Sequence, residues 1–186
     1  MIIIDNGIGN LSSIFNMLRQ IGLYPEITND YEKISKSNEI ILPGVGNFQK
    51  GMENLKEKNI DNAILNAAHN NSRILGICLG MHFLFDKSDE GGEKGLGLIE
   101  GEVIKFNLKN EEYKIPHMGW NFVNFEMNSQ FYFKYKNQIK FYFAHSYYAS
   151  CKNKENIVGK THYSIEFASF VKKKNIYGVQ FHPEKS

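Results

Sequence analysis

The sequence predicts an α/β fold: a doubly wound, mostly parallel sheet with helices on both faces, and a smaller antiparallel or mixed sheet in the second half. In the first half, short and almost wholly apolar strands alternate with stretches of helical periodicity, which is typical of a buried parallel sheet. In the second half, aromatic-rich runs of strand length follow one another without helical periodicity between them. Because the 186 residues are close to the roughly 150 expected per domain, we expect a single domain.

β-Branched runs and helical spacing locate the individual elements. In the first half, the predicted strands span residues 2–4, 24–28, 39–42 and 73–77, and the predicted helices span residues 11–21, 47–58, 61–70 and 79–86. Asn10 caps the first of these helices and Gly22 ends it. In the second half, the predicted strands span residues 102–106, 120–125, 140–144, 157–161, 167–171 and 176–181, with a hairpin turn at residues 172–175.

Composition and charge argue against several classes of protein. The formal net charge is only +2, from 22 basic and 20 acidic side chains, so we expect no nucleic-acid partner. We expect no membrane span, since no apolar run approaches the roughly 18 residues of a membrane helix, and the first residues lack the basic region of a signal peptide. The two cysteines, Cys78 and Cys151, make no disulfide framework, which favours a reducing, cytoplasmic location.

The segment Gly76-Ile77-Cys78-Leu79-Gly80 lies at a predicted junction of strand and helix. Flanking glycines permit a sharp turn that pushes one side chain out at the carboxyl end of the strand. The free N–H groups of a following helix would favour the thiolate form of that cysteine. A lone cysteine is more often a buried structural residue, but the two glycines at this turn favour a nucleophile.

A cysteine nucleophile needs a base, and His182-Pro183-Glu184 follows the last predicted strand. Residues two apart in an extended segment project to the same side, so Glu184 could hold and charge-stabilise His182. Nucleophile, base and orienting carboxylate together form a catalytic triad. Taken alone, the same three residues are more typical of a solvated surface turn.

Acyl chemistry also needs donors for a developing oxyanion. The N–H of Leu79 is one candidate, and the loop Pro43-Gly44-Val45-Gly46 is a candidate for the second donor, although it could be a plain turn between strand and helix. No zinc-ligand spacing and no phosphate-binding glycine loop occurs in the sequence. We therefore expect no metal and no cofactor.

Residues 76–81 and 178–186 together resemble the class I (triad) glutamine amidotransferases. Four further motifs are similar to the glutaminase subunits of imidazole glycerol phosphate synthase: Asp5-Asn6-Gly7-Ile8-Gly9-Asn10-Leu11, Pro43-Gly44-Val45-Gly46, Pro116-His117-Met118-Gly119-Trp120-Asn121 and His145-Ser146-Tyr147-Tyr148. The motifs span essentially the whole chain in the right order. The resemblance therefore implies one glutamine amidotransferase type 1 domain over residues 1–186.

The resemblance implies hydrolysis of glutamine to glutamate and ammonia. Cys78 would form a glutamyl thioester, His182 would shuttle the proton, and Glu184 would orient His182. The N–H groups of Leu79 and of Gly46 or Val45 would form the oxyanion hole. The positions that match substrate-binding residues of the family are His82, Glu90, Ser146 and Tyr147.

The resemblance also implies a partner, a (β/α)8-barrel cyclase that receives the ammonia and makes imidazole glycerol phosphate and AICAR in histidine biosynthesis. Dry transfer is needed because ammonia released to neutral water is mostly protonated and no longer a nucleophile. The positions implied at the heterodimer interface are Asn10, Pro116, Met118, Trp120 and Tyr142. Core packing is the alternative explanation for the apolar ones.

Two residues depart from the family pattern. His82 stands where the family usually has glutamine, one turn beyond the nucleophile, and Asn6 stands where the opening loop usually has tyrosine. Neither departure removes a catalytic atom. Three alternatives remain open from the sequence: a paralogous glutaminase subunit for surface-sugar amidation, a non-catalytic activator or scaffold, and a cysteine peptidase.

Overall fold

The computed structural model describes residues 1–108, 112–127, 129, 131 and 138–186. Within this part of the chain, one sheet contains twelve strands and is covered by five α-helices. The strands are β1 Ile2–Ile4, β2 Glu26–Thr28, β3 Glu39–Leu42, β4 Arg73–Ile77, β5 Lys87–Ser88, β6 Gly101–Lys105, β7 His117–Phe125, β8 Gln138–His145, β9 Tyr147–Cys151, β10 Ile157–Tyr163, β11 Ile165–Lys173 and β12 Ile176–Val179. The helices are α1 Leu11–Gln20, α2 Tyr31–Ser35, α3 Phe48–Glu57, α4 Ile60–His69 and α5 Leu79–His82, and two 3₁₀-helices span Lys154–Asn156 and Pro183–Lys185.

The sheet has a parallel half and an antiparallel half. Strands β2, β1, β3, β4 and β12 lie side by side and are parallel. From β12 the sheet continues through the antiparallel strands β11, β10, β7 and β8, while β9, β6 and β5 branch from β11. The predicted α/β fold class is confirmed. The described strands of the second half do not form a separate smaller sheet, because β12 pairs with both β4 and β11 and so joins the two halves.

The parallel strands are buried on both faces. In β1, Ile2 and Ile4 pack in one cluster with the apolar residues of α2, α3 and α4, whereas Ile3 packs on the other face with Ile14 and Leu18 of α1. Alternate residues of a strand point to opposite faces, so a three-residue apolar run supplies both layers of the core. The longest of the described helices have ten residues, and none of the described helices could cross a membrane.

Helix α5 ends at His82, four residues earlier than the sequence predicts. The carbonyls of Phe83, Leu84 and Phe85 accept hydrogen bonds from the N–H groups of Leu96, Ile99 and Gly97 at 2.8, 2.9 and 3.1 Å. These carbonyls bind the loop that follows instead of a next helical turn. The apolar run Phe83-Leu84-Phe85 is therefore a buried turn rather than a helix.

Three short elements were not predicted. Helix α2 has five residues, too few for a periodic pattern, and begins where the Asp30 side chain accepts from the N–H of Lys33 at 2.8 Å. Strand β5 has two residues, and β9 exists through its pairing with β6, which joins residues far apart in the chain. The predicted hairpin between β11 and β12 is confirmed, with its turn confined to Lys174 and Asn175.

Candidate active site

The pairing of β4 with β12 brings two distant segments to one edge of the sheet. Gly76 pairs with Gly178 and Ile77 with Val179, and the N–H of Cys78 donates to the carbonyl of Val179 at 2.8 Å. Because the two strands are parallel, their carboxyl ends meet at the same edge. Cys78 and the residues that follow β12 therefore lie together.

Cys78 adopts a backbone conformation that few side chains tolerate, with φ +54° and ψ −112°. The surrounding glycines allow this turn to pack without a clash. A Cβ atom on Gly80 would overlap the carbonyl oxygen of Leu42, one on Gly44 would lie 2.8 Å from the N atom of Gly80, and one on Gly76 would lie 2.5 Å from the oxygen of Gly80. The sharp turn expected from the flanking glycines is present.

Cys78 and His182 line one cavity of about 380 Å³. All seven residues that the sequence predicts for oxyanion or substrate binding line the same cavity. The other residues that line it are Val45, Gly46, Leu79, His82, Glu90, Pro116, Met118, Ala144, His145, Ser146, Tyr147 and Lys185. Among these, Ala144, His145 and Lys185 were not predicted as site residues, although His145 and Lys185 lie inside motifs that the sequence analysis quoted.

His182 is held by the carboxylate two residues further on. Its Nδ1 atom lies 2.8 Å from Oε1 of Glu184, and the two side chains are 3% and 2% exposed. Backbone bonding also fixes His182, since its N–H donates to the carbonyl of Tyr142 at 2.9 Å. The second carboxylate oxygen of Glu184 is buried and has no hydrogen-bond partner among the described residues, so the charge of this carboxylate acts mainly on the imidazole.

The pKa of His182 results from opposing effects. Burial lowers it, but hydrogen bonds to Cys78 and Glu184, and the negative charges of both, raise it more, to about 9. The imidazole therefore carries its proton at neutral pH, facing the sulfur of Cys78. A protonated imidazole beside a thiolate is the reactive form of a cysteine nucleophile.

His82 is buried and lines the cavity. Its Nε2 atom lies 2.7 Å from Oε1 of Gln180, and Nε2 of Gln180 lies 3.9 Å from the sulfur of Cys78. Burial lowers the pKa of His82 to about 4, against the raising effect of the bond to Gln180, so His82 is neutral at neutral pH. Gln180 was not singled out from the sequence, although it precedes His182 in the same motif.

Two further buried histidines, His117 and His145, contact each other and link the cavity to strand β7. Nε2 of His145 lies 2.9 Å from Nδ1 of His117, and Nδ1 of His145 donates to the carbonyl of Tyr147 at 2.7 Å. Burial lowers the pKa of both rings, to about 4 for His117. The neutral pair fixes the position of the backbone at Tyr147. His117 was quoted only as part of a motif, and nothing in the local sequence indicates its contact with His145.

The other predicted substrate-binding residues, Glu90, Ser146 and Tyr147, also line the cavity. Oε2 of Glu90 accepts a hydrogen bond of 2.8 Å from the N–H of Phe48, the first residue of α3. Burial and the nearby charges of Glu90 and Asp89 raise the pKa of the Tyr147 phenol, so this hydroxyl stays protonated. Ser146 also lines the cavity and lies between strands β8 and β9.

The loop Pro43-Gly44-Val45-Gly46 contributes Val45 and Gly46 to the lining of the cavity. Gly46 has φ +94° and Val45 is 40% exposed. The buried side chain of Asn6, one of the two departures from the family pattern, donates from Nδ2 to the carbonyl of Pro43 at 2.9 Å and accepts at Oδ1 from the N–H of Ile8 at 3.1 Å. Asn6 therefore joins the opening loop of the chain to the loop that packs against Leu79 and Gly80.

An exposed apolar stripe runs along one face of β7, next to the cavity. Met118, Trp120 and Phe122 alternate with less exposed residues and are 63%, 53% and 46% exposed. Tyr142 of β8 pairs with Trp120, with the two rings 6.3 Å apart. Exposure of this kind excludes core packing for Met118 and Trp120. Pro116 and Asn10 are also exposed. Asn10 caps α1, since its side chain accepts from the N–H of Ser13 at 3.3 Å.

A larger and mostly apolar cavity, about 780 Å³, lies elsewhere on the sheet. It is lined by residues such as Leu18, Leu75, Phe141 and Phe181, and neither a cysteine nor a histidine occurs among its described lining residues. Its size and apolar lining would favour it over the smaller cavity as a binding site. Chemistry favours the smaller one, which combines a cysteine on a strained turn with a histidine bound to a buried carboxylate.

Comparison with known sequences identifies the class of protein. The glutamine amidotransferase class-I family matches residues 2–186, so the chain belongs to this family and is a glutamine amidotransferase. It is 52% identical over 186 residues to imidazole glycerol phosphate synthase subunit HisH 2 of Methanococcus maripaludis, with 99% of this chain and 91% of that protein covered. It is 43% identical over 187 residues to subunit HisH of Sulfurimonas denitrificans, with 99% and 90% covered.

Solved structures show the same fold. A crystal structure of a glutamine amidotransferase superposes with a TM-score of 0.77 at 14% identity, covering 98% of this chain and 90% of that one. The structure of PurLQS from Thermotoga maritima superposes with a TM-score of 0.72 at 22% identity, covering 98% and 86%. At such low identity, these structural similarities establish the fold alone. The substrate has to be inferred from the residues of the site.

Proposed function

We propose that this chain is the glutaminase subunit of imidazole glycerol phosphate synthase in histidine biosynthesis, and that Cys78, His182 and Glu184 carry the glutaminase reaction. The observation that carries the catalytic part is one cavity in which a cysteine on a strained turn faces a histidine bound to a buried carboxylate. The similarity to HisH subunits over 99% of the chain supports the pathway.

The first half of the reaction transfers the glutamyl group to Cys78. The thiolate attacks the side-chain carbonyl carbon of glutamine, and the N–H groups of Leu79 and of Gly46 or Val45 stabilise the oxyanion. His182, protonated at neutral pH, donates its proton to the leaving nitrogen. Ammonia departs and a glutamyl thioester remains. Glu90, Ser146 and Tyr147 hold the glutamine, since all three line the same cavity.

The second half of the reaction hydrolyses the thioester. His182, now neutral, accepts a proton from water as the water attacks the thioester carbonyl. Glu184 keeps the imidazole in one orientation through the bond to Nδ1 and stabilises its charged form. Glutamate is released, and the thiolate and the imidazolium are restored together.

The pH profile tests the role of Glu184. Because the folded pKa of His182 is raised to about 9, its proton-donating form persists to that pH, and we expect kcat/KM of the reconstituted complex to fall above it. Glu184→Gln removes the negative charge, so the basic limb should move to lower pH by about one unit. The matched control is Glu57→Gln, at an exposed residue of α3. An unmoved basic limb in Glu184→Gln would contradict the assigned role.

The ammonia passes to a (β/α)8-barrel cyclase that docks on the exposed face beside the cavity. Met118 lines the cavity and is also part of the apolar stripe, so a partner seated on the stripe would cover the cavity mouth. Exposed aromatic residues of this kind are the usual anchors of protein interfaces. Pro116, Tyr142 and Asn10 belong to the same proposed interface.

Trp120→Ala tests the docking surface. Trp120 is 53% exposed, so its loss should leave the fold intact while it raises the Kd for the cyclase about 30-fold, equivalent to about 2 kcal/mol. Titration of labelled cyclase measures the Kd. Ile21→Ala is the matched control, since Ile21 is 67% exposed at the opposite end of α1 from Asn10. Equal Kd values for both variants would exclude Trp120 from the interface.

The pathway is tested separately from the chemistry. Expression of this chain in a histidine auxotroph that lacks only its glutaminase subunit should restore growth without histidine, provided that the cyclase from the same source is supplied. Growth that returns with Cys78 intact but not with Cys78→Ala supports the proposal. A stable complex with the cyclase that gives no growth would overturn it.

A second candidate is a glutaminase subunit that feeds ammonia to a surface-sugar amidation synthase. One observation keeps it in view: Methanococcus maripaludis has two proteins named as HisH subunits, to which this chain is 52% and 45% identical. Two such subunits in one organism leave room for two partners. Co-purification with a sugar amidation synthase instead of the cyclase would favour this second candidate.

A further inference from the structure

Beyond the triad, a second set of side chains reaches the sulfur of Cys78 from inside the protein. Gln180 is fully buried, and its backbone N–H donates to the carbonyl of Ser169 at 2.9 Å. Its side-chain Nε2 lies 3.9 Å from the sulfur, while its Oε1 lies 2.7 Å from Nε2 of His82. The three side chains therefore form a chain of hydrogen bonds that ends on the nucleophile.

The atoms involved fix which group donates and which accepts in each of these hydrogen bonds. A carbonyl oxygen only accepts hydrogen bonds, so the hydrogen between His82 and Gln180 belongs to Nε2 of His82. With Oε1 held by His82, the amide NH₂ of Gln180 is turned towards the sulfur. The orientation does not change if His82 is protonated, because Nε2 donates in both the neutral and the charged ring.

The sulfur of Cys78 has one neighbouring hydrogen-bond acceptor and one neighbouring donor. The carbonyl oxygen of Ala144 lies 4.0 Å away and can accept only from a thiol. Gln180 is a donor, which favours the thiolate. The titratable side chains around the cavity are His82, Glu90, His145, Tyr147, His182 and Lys185. His182 lines the same cavity as Cys78, and His82 reaches the sulfur through Gln180.

We propose that Gln180 is a catalytic residue that donates a hydrogen bond to the Cys78 thiolate, and that His82 is a positioning residue that fixes the orientation of its amide. In this role His82 acts on Cys78 through Gln180. The proposal assumes the nucleophile of the proposed function. It requires neither a particular substrate nor a particular partner.

Alkylation of Cys78 by iodoacetamide as a function of pH tests this proposal without glutamine or partner. In a Cys151→Ser background, Gln180→Met keeps the side-chain volume but removes the donor. We expect a rate about tenfold lower at pH 7 and a midpoint moved upward by about one pH unit, because a hydrogen bond to a charged group is lost. Gln20→Met, at an exposed residue of α1, should leave the profile unchanged.

Substitutions at His82 test the positioning role. His82→Phe should slow alkylation about threefold at pH 7, whereas His82→Gln retains a side-chain donor and should stay within about twofold of the parent. His69→Gln, at an exposed histidine of α4, is the matched control, and circular dichroism confirms that each variant is folded. A parental profile in folded Gln180→Met, or equal profiles in His82→Phe and His82→Gln, would overturn the proposal. The predicted alkylation profiles in a chain that hydrolyses no glutamine would instead refute the proposed function alone.

Discussion

Replacement of Cys78 with alanine is expected to abolish glutamine-dependent product formation in the complex, with a loss of about a thousandfold or more. The reason is that no glutamyl thioester can form without the sulfur of Cys78. Product formation from added ammonia should be retained, because ammonia reaches the partner without hydrolysis of glutamine. Parallel assays with glutamine and with an ammonium salt, at equal protein concentrations, measure both rates.

The chain offers a matched control for this experiment in its second cysteine. Cys151 is partly exposed, and burial raises the pKa of its thiol to about 12, so it is not a nucleophile at neutral pH. Cys151→Ala should therefore leave both the glutamine-dependent and the ammonia-dependent rates at the parental level. Turnover of glutamine that survives in Cys78→Ala would refute the nucleophile assignment.

Replacement of Gly80 with alanine is expected to lower the free energy of unfolding by about 3 kcal/mol. Alanine normally stabilises a helix by about 1 kcal/mol relative to glycine, and Gly80 lies in α5. Here the added Cβ would overlap the carbonyl oxygen of Leu42, which is backbone of a buried strand and cannot rotate away. Urea unfolding measures the change, and the melting temperature should fall by roughly 10 °C.

The control for this substitution is Gly22→Ala. Gly22 has φ +82° and nothing within 4 Å of its added Cβ, so only backbone strain should act, at about 1 kcal/mol. The difference between the two losses in the free energy of unfolding distinguishes the effect of close packing around Cys78 from the effect of backbone strain alone. Equal losses at the two positions would mean that Gly80 is not held against Leu42 as described.

Local sequence was informative wherever the interactions are local. The glycines around Cys78 predicted the sharp turn, and the spacing of His182 and Glu184 predicted their contact, now seen at 2.8 Å. Each depends on residues only a few positions apart. The predicted end of α5 was wrong because the carbonyls of Phe83 to Phe85 accept hydrogen bonds from N–H groups of a later loop. No pattern within the helix indicates these bonds.

Exposure could not be predicted in the same way. The alternation of large apolar residues along β7 is compatible with a buried face, and only the arrangement of the neighbouring strands leaves Met118 and Trp120 in contact with solvent. The same holds for His117 and His145, whose contact depends on the register of β7 with β8. Register is a property of two strands, and neither strand specifies it alone.

By itself, the sequence determined the alternation of strands and helices, the turn at Cys78 and the pairing of His182 with Glu184. The tertiary structure decided that β12 returns to lie beside β4, which brings Cys78 within reach of His182 and of Gln180, a residue 102 positions away. The physical reason is that parallel strands are joined by long crossovers. Their pairing is settled by the burial of two apolar faces across the whole sheet, not by any local pattern.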